Sequence, residues 1–170
     1  MQGTKQFFLF ITLILWATLI GAITYSHMVY FPPYLSHLPE STALVTGPYG
    51  LHEENFWKMI HPVLILSILI TVIVNWQNAA RRKYILGAIL IYALAIAATF
   101  IYFVPELMAF ADSSHSSVMP AEWLQRGQRW QYLSWTRGAF IYFGFILLLI
   151  GLTKNTVPNH PGLVEAKPLK

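Results

Sequence analysis

The chain has 170 residues, of which 56% are hydrophobic and only 11% charged, a balance outside that of soluble domains and suited to a lipid medium. A net charge of +4 from eleven Lys and Arg does not indicate nucleic acid, because these residues are spread along the chain and mostly flank apolar runs. With no cysteine, disulfides, thiolate metal sites and thiol redox chemistry are excluded.

A spanning helix needs about 20 mostly apolar residues. Four segments qualify: 7–27, 56–76, 84–104 and 132–153. The first is long for a signal-peptide core and no small-residue cleavage motif follows it, so it reads as a retained helix. Pro32 and Pro33 are expected to end it. The second contains His61-Pro62, where the missing backbone donor favours a kink. Pro105 is expected at the end of the third, and Pro120 to open an amphipathic lead-in to the fourth. Backbone groups in lipid must be satisfied within the segment, so the fold class is an all-α integral membrane four-helix bundle, one domain over 1–170, with two longer extracytoplasmic loops. Small residues suggest packing seams at Ala17 and Gly21, at Gly87, Ala88, Ala95 and Ala98, and at Gly138, Gly144 and Gly151.

Lys5, the Arg81-Arg82-Lys83 cluster, Lys154 and the C-terminal lysines share one side, whereas the loop after the first helix has no Lys or Arg. The positive-inside rule then places both termini and a 154–170 tail in the cytoplasm of a plasma or inner membrane, with Arg126 and Arg129 as minor exceptions.

Depth is informative about the polar residues. At about 1.5 Å per residue, His27, Glu54 and Glu106 arrive near the outer boundary, while His61 and Arg137 lie roughly 6 to 8 Å below it. A charged group in hydrocarbon is costly unless paired or hydrated, so Arg137 is expected to face the bundle and pair with Glu54 or Glu106. Glu54 and His61, seven residues apart, lie within about 20° of one helix face. His27, Glu54, His61 and Glu106 form a candidate metal set, since imidazole and carboxylate on facing helices are the ligands of bundle metal centres. No Glu-x-x-His repeat or His-x-x-x-His pair is present, and His37, His52 and His115 read as loop residues. Trp57, Trp123, Trp130 and Trp135 suit an aromatic belt as well as a binding surface.

The four-span layout, the element Phe103-Val104-Pro105-Glu106-Leu107, and Arg129-Trp130 followed by Trp135-Thr136-Arg137 resemble the small four-helix membrane proteins grouped with the anthrone oxygenases. The resemblance implies oxidation of an aromatic, quinone-like or lipid-soluble substrate among the helices. His61 and Arg137 would be the catalytic candidates, and Trp57, Trp130 and Trp135 the substrate-binding ones. Histidine can act as a base near neutral pH, arginine can stabilise a phenolate, and tryptophan can stack on a flat ring. The oxidant is left open between a first-row metal ion, haem and no cofactor. The competing readings are a non-catalytic subunit or assembly factor that binds a partner membrane subunit or lipid and, third, a channel or transporter.

Overall fold

The computed structural model describes residues 2–154, so expectations for the 154–170 tail lie, beyond Lys154, outside the described residues. No strand occurs among the described residues. Four helices are long and apolar enough to cross a membrane: α1 (Gly3–Ser36), α2 (Glu54–Asn75), α3 (Ala79–Ala111) and α4 (Pro120–Thr153). Pro120 opens α4 as expected, with the prolyl nitrogen at a position where a helix has no use for a donor.

Pro32, Pro33 and Pro105 do not end their helices as expected. α1 passes through Pro32 and Pro33 to Ser36, and α3 passes through Pro105 to Ala111. In each case a π-turn lies just upstream, Ser26–Tyr30 in α1 and Thr99–Phe103 in α3. There the Phe31 N–H reaches back to the Ser26 carbonyl and the Val104 N–H to the Thr99 carbonyl, five residues rather than four. The wider turn absorbs the donor that proline lacks and lets the helix go on. α2 is likewise helical throughout, Pro62 included.

α1 packs on α2 and α4, and α3 packs chiefly on α4. One apolar core fills the membrane-length part of the bundle around Leu9, Trp16, Leu64, Ile85 and Leu148. A second, around Phe31, Leu35, Phe110, Trp123 and Trp130, lies at the end where α1, α3 and α4 extend past the first. Buried hydroxyls join α1 to α2: Thr12 Oγ1 lies 2.7 Å from Ser67 Oγ and 2.8 Å from Thr71 Oγ1, polar glue of the kind that holds apolar helices in register.

The small-residue seams divide. Ala88 and Ala95 are buried, and a Cβ at Gly144 would sit 2.7 Å from the Trp16 ring, so the α3 and α4 seams are true close approaches. Ala17 and Gly21 are exposed, and nothing lies within 4 Å of a Cβ at Gly21. That stripe faces outward.

At the end carrying the first turns of α1 and the last turn of α4, Arg81 is only 1% exposed. Its Nε donates to the Lys154 carbonyl at 2.8 Å, and its NH2 group donates to that of Leu152 at 3.4 Å. A guanidinium thus caps the last turn of α4, satisfying carbonyls that a helix end leaves without partners. Asn75 completes the junction by donating to the Lys5 carbonyl at 3.2 Å.

Candidate functional site

The α1 π-turn places His27 in the core, 3% exposed. Its carbonyl would look five residues on for a donor, where Pro32 has none; Gln131 Nε2 donates to it instead at 3.4 Å. The ring is fixed at both nitrogens. Nδ1 lies 2.7 Å from the Ile23 carbonyl, which can only accept, so Nδ1 carries a proton. In the neutral ring Nε2 is then an acceptor, and the Ser134 hydroxyl at 2.8 Å donates to it.

Ser134 in turn accepts from the NH2 group of Arg137 at 3.0 Å, one helical turn further along α4. The NH1 group of Arg137 donates to Thr99 Oγ1 at 2.6 Å, and Thr99 donates to the Ala95 carbonyl at 2.7 Å. The guanidinium carbon sits 4.1 Å from the centre of the Phe103 ring, a cation–π contact. α1, α3 and α4 therefore share one polar chain, Arg137 to Ser134 to His27 to the Ile23 carbonyl, with Thr99 as a branch.

Arg137 faces the bundle, as its depth requires, but its expected carboxylate partner is absent. Among the described residues no acid lies within 4 Å of it. Glu106 is held by Arg126 at 3.0 Å, and Glu54 is exposed and paired with His52 at 3.1 Å. The Nε of Arg137 is buried without a hydrogen-bond partner. The side chain forms part of the wall of a groove between α3 and α4, about 500 Å³ in volume, whose other walls include Leu90, Leu94, Tyr102, Phe103 and Phe140.

His61 belongs to a separate cluster. Its Nδ1 is 2.7 Å from the Tyr92 hydroxyl, and its ring stacks on Trp57 with centroids 5.9 Å apart. Tyr92 packs against Trp16, whose indole N–H donates to the Ile141 carbonyl at 3.0 Å. No hydrogen bond among the described residues joins this cluster to His27 or Arg137. The set His27, Glu54, His61 and Glu106 is thus not brought together, and among the described residues no group of three His, Asp or Glu is placed to hold a metal ion. Of the tryptophans, Trp130 is fully buried, stacks at 6.3 Å on His27 and donates to the Phe103 carbonyl at 3.0 Å. Trp135 is partly exposed, with its ring 4.8 Å from that of His27. Trp57 serves the His61 cluster.

Sequence reasoning passed over Ser134, Thr99 and Tyr92, because an uncharged hydroxyl in an apolar run carries no cost signal. Ser134 and Arg137 at a spacing of three was the available hint. Glu53 was likewise not singled out. Glu53 precedes α2 and accepts from the buried Ser26 hydroxyl in the α1 π-turn. Burial pushes its carboxyl up to about 7, with a hydrogen bond from Trp57 opposing the rise and the Glu54 charge adding to it.

Fold and site together define an all-helical bundle with four helices long and apolar enough to span a membrane, of a kind that fits an integral membrane protein, with a chain from a half-buried cation through a buried hydroxyl to a buried imidazole at the wall of an apolar groove. No protein-family model, curated protein or solved structure matches the chain.

Proposed function

We propose that the chain is an integral membrane oxidoreductase or oxygenase-like protein that binds an aromatic, quinone-like or other lipid-soluble substrate in the α3/α4 groove, with Arg137 holding an oxygen of that substrate. The observation that carries the reading is the buried Nε of Arg137, without a partner, in a side chain that walls an apolar groove of about 500 Å³. Binding sites combine an apolar lining with a few fixed polar groups, and volumes of roughly 300 to 1,000 Å³ are usual for them. Ser134 and Thr99 fix the guanidinium through one N–H each and leave its Nε–H without a protein partner, and Phe103, Tyr102 and Phe140 offer ring surfaces. The redox part of the reading comes from the resemblance to the anthrone oxygenase group. In it, Arg137 stabilises charge developing on a substrate oxygen, while His27 and Ser134 hold Arg137 in place. Both termini are cytoplasmic in this reading; a periplasm-dependent reporter active at the C-terminus would reverse that part.

The test of the site is a titration of detergent-purified protein with an alkyl naphthoquinone, followed by tryptophan fluorescence. Saturable quenching is expected, with affinity reduced roughly 10-fold or more in Arg137→Leu, the weight of one hydrogen bond to a charged group. Unchanged affinity in a folded Arg137→Leu protein would remove Arg137 from the site and the reading with it.

A further inference from the structure

The charge balance around Arg137 says more about the ligand than its solubility. A guanidinium cannot shed its proton in a protein, so this side chain carries a full positive charge wherever it sits. Its neighbours are the hydroxyls of Thr99 and Ser134 and the face of the Phe103 ring. Hydroxyls and a ring face solvate a cation; they do not neutralise it. Among the described residues no acid lies within 4 Å of it: Glu106 is paired with Arg126, Glu54 with His52, and Glu53 accepts from the Ser26 hydroxyl. A half-buried charge without a counter-charge in an apolar wall is unfavourable, and an incoming anion would relieve that where a neutral ligand would not.

The groove also has a direction. Along α3 it runs from Leu90 to Tyr102, about 18 Å at 1.5 Å per residue. Arg137, bonded to Thr99, sits toward its loop end, which leaves about 13 Å of apolar wall between Thr99 and Leu90. Leu90 and Leu94 are 61% and 63% exposed, so this stretch opens sideways from the bundle, where the apolar helices would meet acyl chains. One cation near one end of a long, laterally open, otherwise apolar trough matches a molecule with a single charged head and an apolar body.

We infer that the groove takes a lipid-soluble organic anion that enters from the bilayer, sets its charged oxygen on Arg137 and lays its apolar body along α3 toward Leu90. The inference rests on the groove being the substrate site proposed above, and adds the sign of the ligand's charge and its orientation. The acidic group is one negative oxygen function, a ring enolate or phenolate. A fatty carboxylate shares that chemistry, and the experiment separates the two.

The full-length protein, in nanodiscs of uncharged phosphatidylcholine at neutral pH, is titrated with a 2-hydroxy-3-alkyl-1,4-naphthoquinone, whose acidic hydroxyl is ionised, and with its methyl ether, which keeps the rings and tail but not the charge. A long-chain saturated carboxylate forms the third arm. The ionised quinone is expected to bind roughly 10- to 100-fold more tightly than the ether, as a hydrogen bond to a charged group gives. Arg137→Gln should remove that preference, and Arg137→Lys should keep part of it. Equal affinity for acid and ether in the wild-type protein overturns the anion inference and leaves the quinone-like substrate class standing. Carboxylate binding tighter than the ring anion upholds the anion and overturns that class. No saturable binding of any of the three overturns both. The wild-type comparison decides the charge even if the Arg137 variants fail to fold.

Discussion

Arg126 grips Glu106 from two nitrogens, Nε at 3.2 Å and the NH2 group at 3.0 Å, and so ties the extension of α3 to the opening turns of α4. The Arg126 guanidinium also lies over the Trp123 ring at 4.5 Å. This pair occupies the acid that depth alone assigns to Arg137, and the lone positive charge of the groove follows from it.

The pair is partly exposed, at 31% and 23% of side-chain area, so its strength is screened. A double-mutant cycle of Arg126→Ala and Glu106→Ala, read by thermal unfolding in detergent, is expected to give a coupling of about 1 kcal/mol, at the upper end for such pairs because two nitrogens take part. Additive single effects would show that the contact holds nothing together.

Glycines on two helices should respond in opposite ways. Gly144→Ala drives a methyl to 2.7 Å from the Trp16 ring, whose indole is tied to the Ile141 carbonyl, so the ring has little room to retreat. A loss of about 1 to 3 kcal/mol is expected from this overpacking. Gly21→Ala meets nothing within 4 Å and should be neutral or stabilising by up to about 1 kcal/mol through helix propensity. Equal melting temperatures for the two variants would contradict the packing described here.

Arg81 and Arg82 are adjacent in sequence and unlike in role. Arg81→Leu leaves the Lys154 and Leu152 carbonyls without their donor and should cost about 2 kcal/mol or more. Arg82 is half-buried, 5.0 Å from the centre of the Trp76 ring and donating to the Trp76 carbonyl at 3.1 Å, and Arg82→Leu should cost about 1 kcal/mol at most. Expression level and thermal midpoint measure both, and similar losses in the two would refute the capping role.

Glu53 gives the protein a pH dependence whose sign is fixed. Its folded-state carboxyl is raised to about 7 from an ordinary value of 4.5, so between these values the unfolded chain gives up a proton that the folded chain keeps. Stability from this group is therefore full at low pH, falls as pH rises, and is lost once the folded carboxyl ionises at about 7. The thermal midpoint of wild type minus that of Glu53→Gln should decrease from about pH 5 to about pH 8. A flat or rising difference would show that the Ser26 bond is made by a carboxylate.

Apolar runs made the four spans legible, since length and hydropathy are local properties. The ends were not, because Pro32, Pro33 and Pro105 were weighed as helix stops, whereas a π-turn upstream of each group lets the helix continue. Each π-turn inserts one extra residue, which turns everything beyond it by about 100° about the axis. Glu106 lies beyond the α3 insertion and Arg137 pairs with Thr99 inside it, so a face drawn on an unbroken helix puts the acid in the wrong place. Arg137 does face the bundle as expected, but its expected carboxylate partner is held elsewhere. His27 was recognisable as a boundary histidine, but its tautomer depends on Ile23 and Ser134, and only the tertiary fold supplies the second. Arg81 counted as one vote for orientation, and sequence gives no sign that such a charge is 1% exposed.

The unequal lengths of the rods have a mechanical consequence. α1, α3 and α4 run for 33 to 34 residues, about 50 Å, whereas α2 has 22 and measures about 33 Å. The extra turns of the three longer rods pack on one another through the second core, so that their height is not set by helix length alone. α2 has no such reserve, flanked by Glu53 and Glu54 at one end and Trp76 at the other. In a bilayer α2 would therefore be the gauge of the assembly: the thickness that seats it would fix the height at which the other three stand, and with it the depth at which the mouth of the groove opens.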